Sequence, residues 1–146
     1  MKARTIFAAI VLLGVVAIAG AVPDQPNMQA ARGHLISARN SLQRATPDKG
    51  GHRVNAIGLV NSAIAEVNAG IAFDRRHNHP SSMSPEALFV GTPDQPNMQN
   101  ALDALERAKD SLNRATADKG GHRAKALDYV KDAISEVKKG IEAGRN

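Results

Sequence analysis

The sequence predicts an all-α protein: two tandem αα-hairpins packed as an up-down four-helix bundle, preceded by an N-terminal signal peptide. Three observations carry that reading. The chain repeats itself, each repeat carries two apolar stripes with helical spacing, and no segment of the repeats alternates with the period of a strand. At an offset of 70 residues, 23–72 aligns with 93–142 without a gap, and 29 of the 50 positions are identical. Such self-similarity marks a duplicated structural unit.

In the first copy Met28, Ala31, Leu35, Ala38, Leu42 and Ala45 are spaced alternately by three and four residues. Met98, Ala101, Leu105, Ala108, Leu112 and Ala115 repeat the pattern. That spacing places each set on one stripe of a helix, and alternating Ala with Leu lets a partner helix approach closely. A second, wider apolar face follows in each copy. It comprises Ala56, Ile57, Val60, Ala63, Ile64, Val67 and Ile71, then Ala126, Leu127, Val130, Ala133, Ile134, Val137 and Ile141. A wide face suits a helix with two neighbours. Between the stripes lies Asp48-Lys49-Gly50-Gly51-His52-Arg53, repeated at Asp118 to Arg123, whose paired glycines permit the positive φ of a turn. The prolines and asparagine of Pro23 to Asn27, repeated at Pro93 to Asn97, suit helix starts. Pro47 is expected to end the first helix by Thr46, a stop that Ala117 lacks in the second copy.

The organisation read from these signals is a signal peptide at 1–21, a hairpin at 22–72, a linker at 73–92 and a second hairpin at 93–146. Lys2 and Arg4 form a basic start, Ile6 to Ala19 carries no charge, and Ala19-Gly20-Ala21 resembles a signal-peptidase site. Retention as a membrane anchor is the competing reading, since the apolar run approaches the shortest bilayer span of roughly 17 residues. Pro23 and Asp24 close it. Without cysteine there is neither a lipid-modified cysteine nor a disulfide, so packing alone must hold an exported fold. The linker contains Pro80, Ser81, Ser82 and Pro85, and Ser84-Pro85-Glu86 suits one short helical turn carrying Leu88 and Phe89.

Composition excludes some functions. Removing Lys2 and Arg4 from 19 basic residues leaves 17 against 14 acidic, a net +3, too small an excess for a nucleic-acid binder. With no Trp, and only Phe73, Phe89 and Tyr129 beyond the leader, a base-stacking platform is absent. There is no G-x-S-x-G elbow, Walker loop or dinucleotide fingerprint, and no cofactor is implied. The chain is read as a non-enzymatic module.

The DKGGHR turns are the strongest candidate contacts. In an up-down-up-down bundle both would share one end, opposite the linker. Lys49, Gly50, Gly51, His52 and Arg53, with Lys119, Gly120, Gly121, His122 and Arg123, would then present cations and free N–H groups before two helices. That combination suits a phosphate, carboxylate or acidic headgroup. The plainer reading is structural: the glycines turn the chain, Asp48 caps or pairs with Arg53, and His52 packs over the helix start. A third reading joins Asp48, His52, Asp118 and His122 as ligands for zinc, copper or nickel, opposed by the cations crowding the same end. His77 and His79, beside Asp74, make a weaker pair in the linker, and His34 falls off its apolar stripe and is expected to be exposed. Ala-rich seams also suit pairing between chains, as a homodimer.

The second copy has the denser surface charge. Gly33 and Gly58 each cost the first copy up to ~1 kcal/mol relative to Ala, which predicts a weaker first hairpin or one with a covered face. Through Pro93 to Ile141, with Met98, Leu105, Leu112, Asp118 to Arg123 and Gly140-Ile141, the chain resembles a group of small exported bacterial proteins without an established activity. That likeness implies export, to the periplasm or beyond, and a hairpin fold. There is a looser likeness to small periplasmic metal-binding helical proteins, but those carry histidines along their helices, and this chain does not.

Overall fold

A computed structural model describes residues 25–47, 50–78, 96–116 and 120–145. The predicted signal peptide at 1–21 and most of the predicted linker lie outside them. Four helices account for nearly all of the described chain: α1 Gln25–Arg44, α2 His52–Asn78, α3 Pro96–Arg114 and α4 His122–Ala143. Among the described residues there is no strand. The protein is an all-α four-helix bundle of two hairpins.

Most residues of the predicted stripes are buried in the core, while Ile57, Ile64, Leu127 and Ile141 are partly buried against it. Met28, Leu35, Leu42, Leu105 and Leu112 are fully buried, as are Val60, Val67, Val130 and Val137. A buried Leu or Val contributes about 1.5–3 kcal/mol through removal from water, so these residues are the main source of cohesion. A small residue recurs every seventh position on each helix: Ala31 and Ala38, Ala56 and Ala63, Ala101 and Ala108, Ala126 and Ala133, all fully buried. Small side chains at one level let two helix backbones close up, and they do so between the repeats. α1 packs more extensively against α3, and α2 against α4, than the two helices of either hairpin pack against each other. The diagonal pairs α1–α4 and α2–α3 do not bring their backbones within 8 Å, Cα to Cα.

The direction of the second hairpin departs from the expectation. Asn27, at the start of α1, donates through Nδ2 to the carbonyl of Arg114 at the end of α3 (3.3 Å), and Asn97 donates to the carbonyl of Arg44 (3.5 Å). α1 and α3 are therefore antiparallel. His52, at the start of α2, meets Glu136 near the end of α4, while His122 meets Glu66. α2 and α4 are antiparallel too. The helices run up-down-down-up, and the two glycine-pair turns lie at opposite poles rather than one. His122 stands beside Glu66, fourteen residues along α2 from His52, so the histidines are roughly 21 Å apart along the bundle.

The physical reason lies in the length of the connection. A short loop forces the next helix to lie alongside and reverse. An extended chain gains about 3.3 Å per residue, so residues 79–95 have ample reach to carry the chain back along a bundle of about 30 Å. The second hairpin is thereby free to dock as a two-fold mate of the first.

Two smaller differences concern helix ends. α2 runs through Asn78, so residues 73–78, assigned to the linker, are helical, and Asp74 is buried. α1 and α3 end at Arg44 and Arg114, equivalent places, although only the first copy has a proline beyond. By length and composition α2 could cross a bilayer between His52 and Arg76, yet Ala56, Val60, Ala63, Val67 and Ile71 are buried in the bundle.

Gly33 and Gly58 face open space, with no atom within 4 Å of an added Cβ, so no packing reason requires glycine at either position. Gly33→Ala and Gly58→Ala are each expected to raise unfolding free energy by up to about 1 kcal/mol in denaturant titrations. A loss of stability would show that the first copy's outer face is not simply solvent-exposed helix.

Candidate functional site at the two turns

At the first turn Gly51 has φ 70°, and its carbonyl accepts the amide of Asn55 (3.1 Å), opening α2. At the second, Gly120 and Gly121 have φ 64° and 77°, and the Gly121 carbonyl accepts the amide of Lys125 (3.2 Å). Left-handed backbone at these places explains why glycine occupies them. Asp48, Lys49, Asp118 and Lys119 lie outside the described residues.

The arginine of each motif turns back onto the preceding helix. Arg53 Nη1 donates to the carbonyls of Leu42 and Ala45, both at 3.3 Å. Arg123 Nε donates to the carbonyl of Leu112 (2.6 Å) and its Nη2 to that of Asn113 (3.2 Å). Carbonyls in the last turn of a helix have no partner within it, and a guanidinium satisfies them with charge assistance. This common contact accounts for α1 and α3 ending alike despite Pro47 and Ala117.

The histidine of each motif turns the other way, to the opposite repeat. His52 Nδ1–H donates to Glu136 Oε2 at 2.9 Å, and His122 Nδ1–H donates to Glu66 Oε2 at 2.7 Å. A carboxylate can only accept, so Nδ1 carries the proton in both rings. Asn55 Nδ2 also reaches Glu136 Oε2 (3.4 Å), and Lys139 Nζ donates to Oε1 (2.8 Å). Hydrogen bonds from Lys139 and then His52 hold the Glu136 carboxyl down at about 2, below its ordinary 4.5. The far edge of the His52 ring lies over Gly50, where a Cβ would come within 2.6 Å of Cδ2 and Nε2. At the other pole Phe73 covers Gly120, with a Cβ there 3.1 Å from its ring.

The predicted site residues are thus divided into two groups. Gly50, Gly51, His52 and Arg53 meet at one pole, and Gly120, Gly121, His122 and Arg123 at the other. The four-ligand metal set of Asp48, His52, Asp118 and His122 cannot converge, because the antiparallel docking of the hairpins separates the histidines by roughly 21 Å. Among the described residues no three His, Cys, Asp or Glu side chains are grouped to hold a metal. The shared anion end is overturned by the same geometry. His34 is half-buried rather than exposed, and burial, then Arg107 and Arg114, lower its pKa.

Sequence reasoning missed the partners. Glu66 and Glu136 are matching residues to which the repeat alone assigns no role, and Asn27 and Asn97 reach the opposite repeat rather than only opening their own helices. Their spacing held the signal, since Glu66 lies fourteen residues, four helical turns, from His52 and on the same edge of α2. No protein-family model, curated protein or solved structure matches the chain.

Two outcomes follow from the clasp. In a double-mutant cycle with His122→Ala and Glu66→Ala, unfolding measurements are expected to return a coupling of about 1 kcal/mol. No coupling would mean the pair does not hold the repeats together. For Glu136 the folded pKa lies below the ordinary value, so its contribution is complete above pH 4.5 and fades as pH falls toward 2. Glu136→Gln should flatten the fall in stability across that window.

Proposed function

We propose that the chain is an exported, non-enzymatic helical module, a binding or structural element of the periplasm or the secreted space. Its two DKGGHR turns offer a small anion-accepting surface at each pole. The carrying observation is how the motif's visible chemistry is spent. Each arginine finishes one helix and each histidine fastens the opposite repeat, an economy that suits a structural module better than a reaction centre. The basic start, uncharged run and Ala19-Gly20-Ala21 support export, as does the resemblance to small exported proteins.

The anion contact belongs to each turn separately. Gly121 opens α4 in the left-handed conformation, and as a glycine it brings no side-chain acceptor of its own to the positive end of that helix. Lys49 and Lys119 add a cation to each turn in sequence. With His52 and His122 turned toward carboxylates, the contact depends on backbone amides and lysine more than on the motif's histidine.

Titrating the protein with inorganic phosphate, and separately with vesicles containing anionic lipid, while following amide chemical shifts tests this reading. Residues 50–53 and 120–123 should move together with similar midpoints. Silence at both turns removes the anionic partner and leaves a purely structural role.

A further inference from the structure

Four polar contacts between the repeats form two reciprocal pairs, whereas Asn55 to Glu136 has no mate because the matching residue is Lys125. His52 meets Glu136 and His122 meets Glu66; Asn27 meets the Arg114 carbonyl and Asn97 that of Arg44. Shifting any of these residues by 70 gives the same residue type in the other copy. Each hairpin therefore carries both halves of these four contacts, the defining property of an isologous interface. The fully buried core layers obey the same rule: Leu35 and Leu105, Leu42 and Leu112, Val60 and Val130, Val67 and Val137. Nothing in these layers distinguishes the other repeat of the same chain from the same repeat of another chain.

We propose that the inter-repeat face of each hairpin is a docking surface for a second copy of this chain, hairpin 2 pairing with hairpin 2 and hairpin 1 with hairpin 1. In the hairpin 2 pair, His122 of each copy donates to Glu136 of the other, and Asn97 of each caps the end of the opposite α3. Two chains joined through both homotypic pairs close on themselves with as many clasps as two separate monomers. Two contacts are not duplicated: Asn55 to Glu136, and Phe73 over Gly120, since the His52 ring lies over the matching Gly50. What opposes dimerisation is the advantage of a tethered neighbour, whose effective concentration is on the order of millimolar. Exchange is therefore favoured by high local concentration.

The register identifies a diagnostic residue. Residue 59 lies midway between His52 and Glu66 on α2, and residue 129 midway between His122 and Glu136 on α4. Leu59 and Tyr129 thus face each other at the pseudo-two-fold axis. In a hairpin 2 pair, Tyr129 meets Tyr129 of the second copy. The chain has no cysteine, so a single introduced thiol reports on this meeting alone.

The full chain with Tyr129→Cys is treated with a short bis-maleimide over a range of concentrations. It is compared with Lys131→Cys, an exposed position two residues away. The double variant Leu59→Cys/Tyr129→Cys checks the register within one chain. We expect the double variant to link internally, and Tyr129→Cys to form covalent dimers roughly tenfold faster than Lys131→Cys, with helicity by circular dichroism unchanged. Dimer formation by Tyr129→Cys no faster than by Lys131→Cys overturns the proposal. So does failure of the double variant to link internally, because the register on which the self-complementarity rests would then be wrong.

Discussion

The structure depends on the close antiparallel approach of equivalent helices from the two repeats. Alanine at every seventh position thins the helix surface along one line, and the backbones of α1 and α3, and of α2 and α4, close along it. Dispersion and exclusion of water then act over the whole length of each pair. The hairpins are the covalent units, but the repeats are joined more intimately than each is folded upon itself. A single hairpin would leave its Leu and Val stripes open on one side, which is why two copies are needed for one core.

The polar contacts fix register and direction on this apolar base. An Ala/Leu seam tolerates sliding by seven residues, because the pattern recurs. The His–Glu clasps occur only at matched heights, and the asparagine caps only where a helix start meets a helix end. Together they select one register and one orientation from those that the apolar stripes permit. The DKGGHR motif then has a coherent physical meaning. Its glycines reverse the chain, its arginine completes the helix behind, and its histidine reaches the helix alongside.

Much of this was legible in the residues. Most of the residues named from spacing are buried in the core, because helical period reports which side faces inward; the edges of the wider faces, such as Ile57 and Ile141, are only partly covered. The glycine turns were equally plain, since few side chains tolerate positive φ. The direction of the second hairpin was not read correctly, although the sequence held a cue. Helix connections of simple bundles are typically 2–8 residues, whereas the segment assigned to the linker is much longer, as a crossing chain must be. The His–Glu partnership was hidden for a different reason. Spacing along one helix reports which residues share an edge, but not which edge of which neighbour they face. Only the docking direction supplies that.

One departure from symmetry changes what the bundle is. Phe73 lies over the second turn, while the matching position in the other repeat is Ala143, leaving the first turn to the His52 ring. An otherwise two-fold rod thereby acquires a front and a back. One end shows a phenyl ring together with the His122 imidazole, the other the His52 imidazole, so the two poles offer unlike surfaces despite a nearly identical motif.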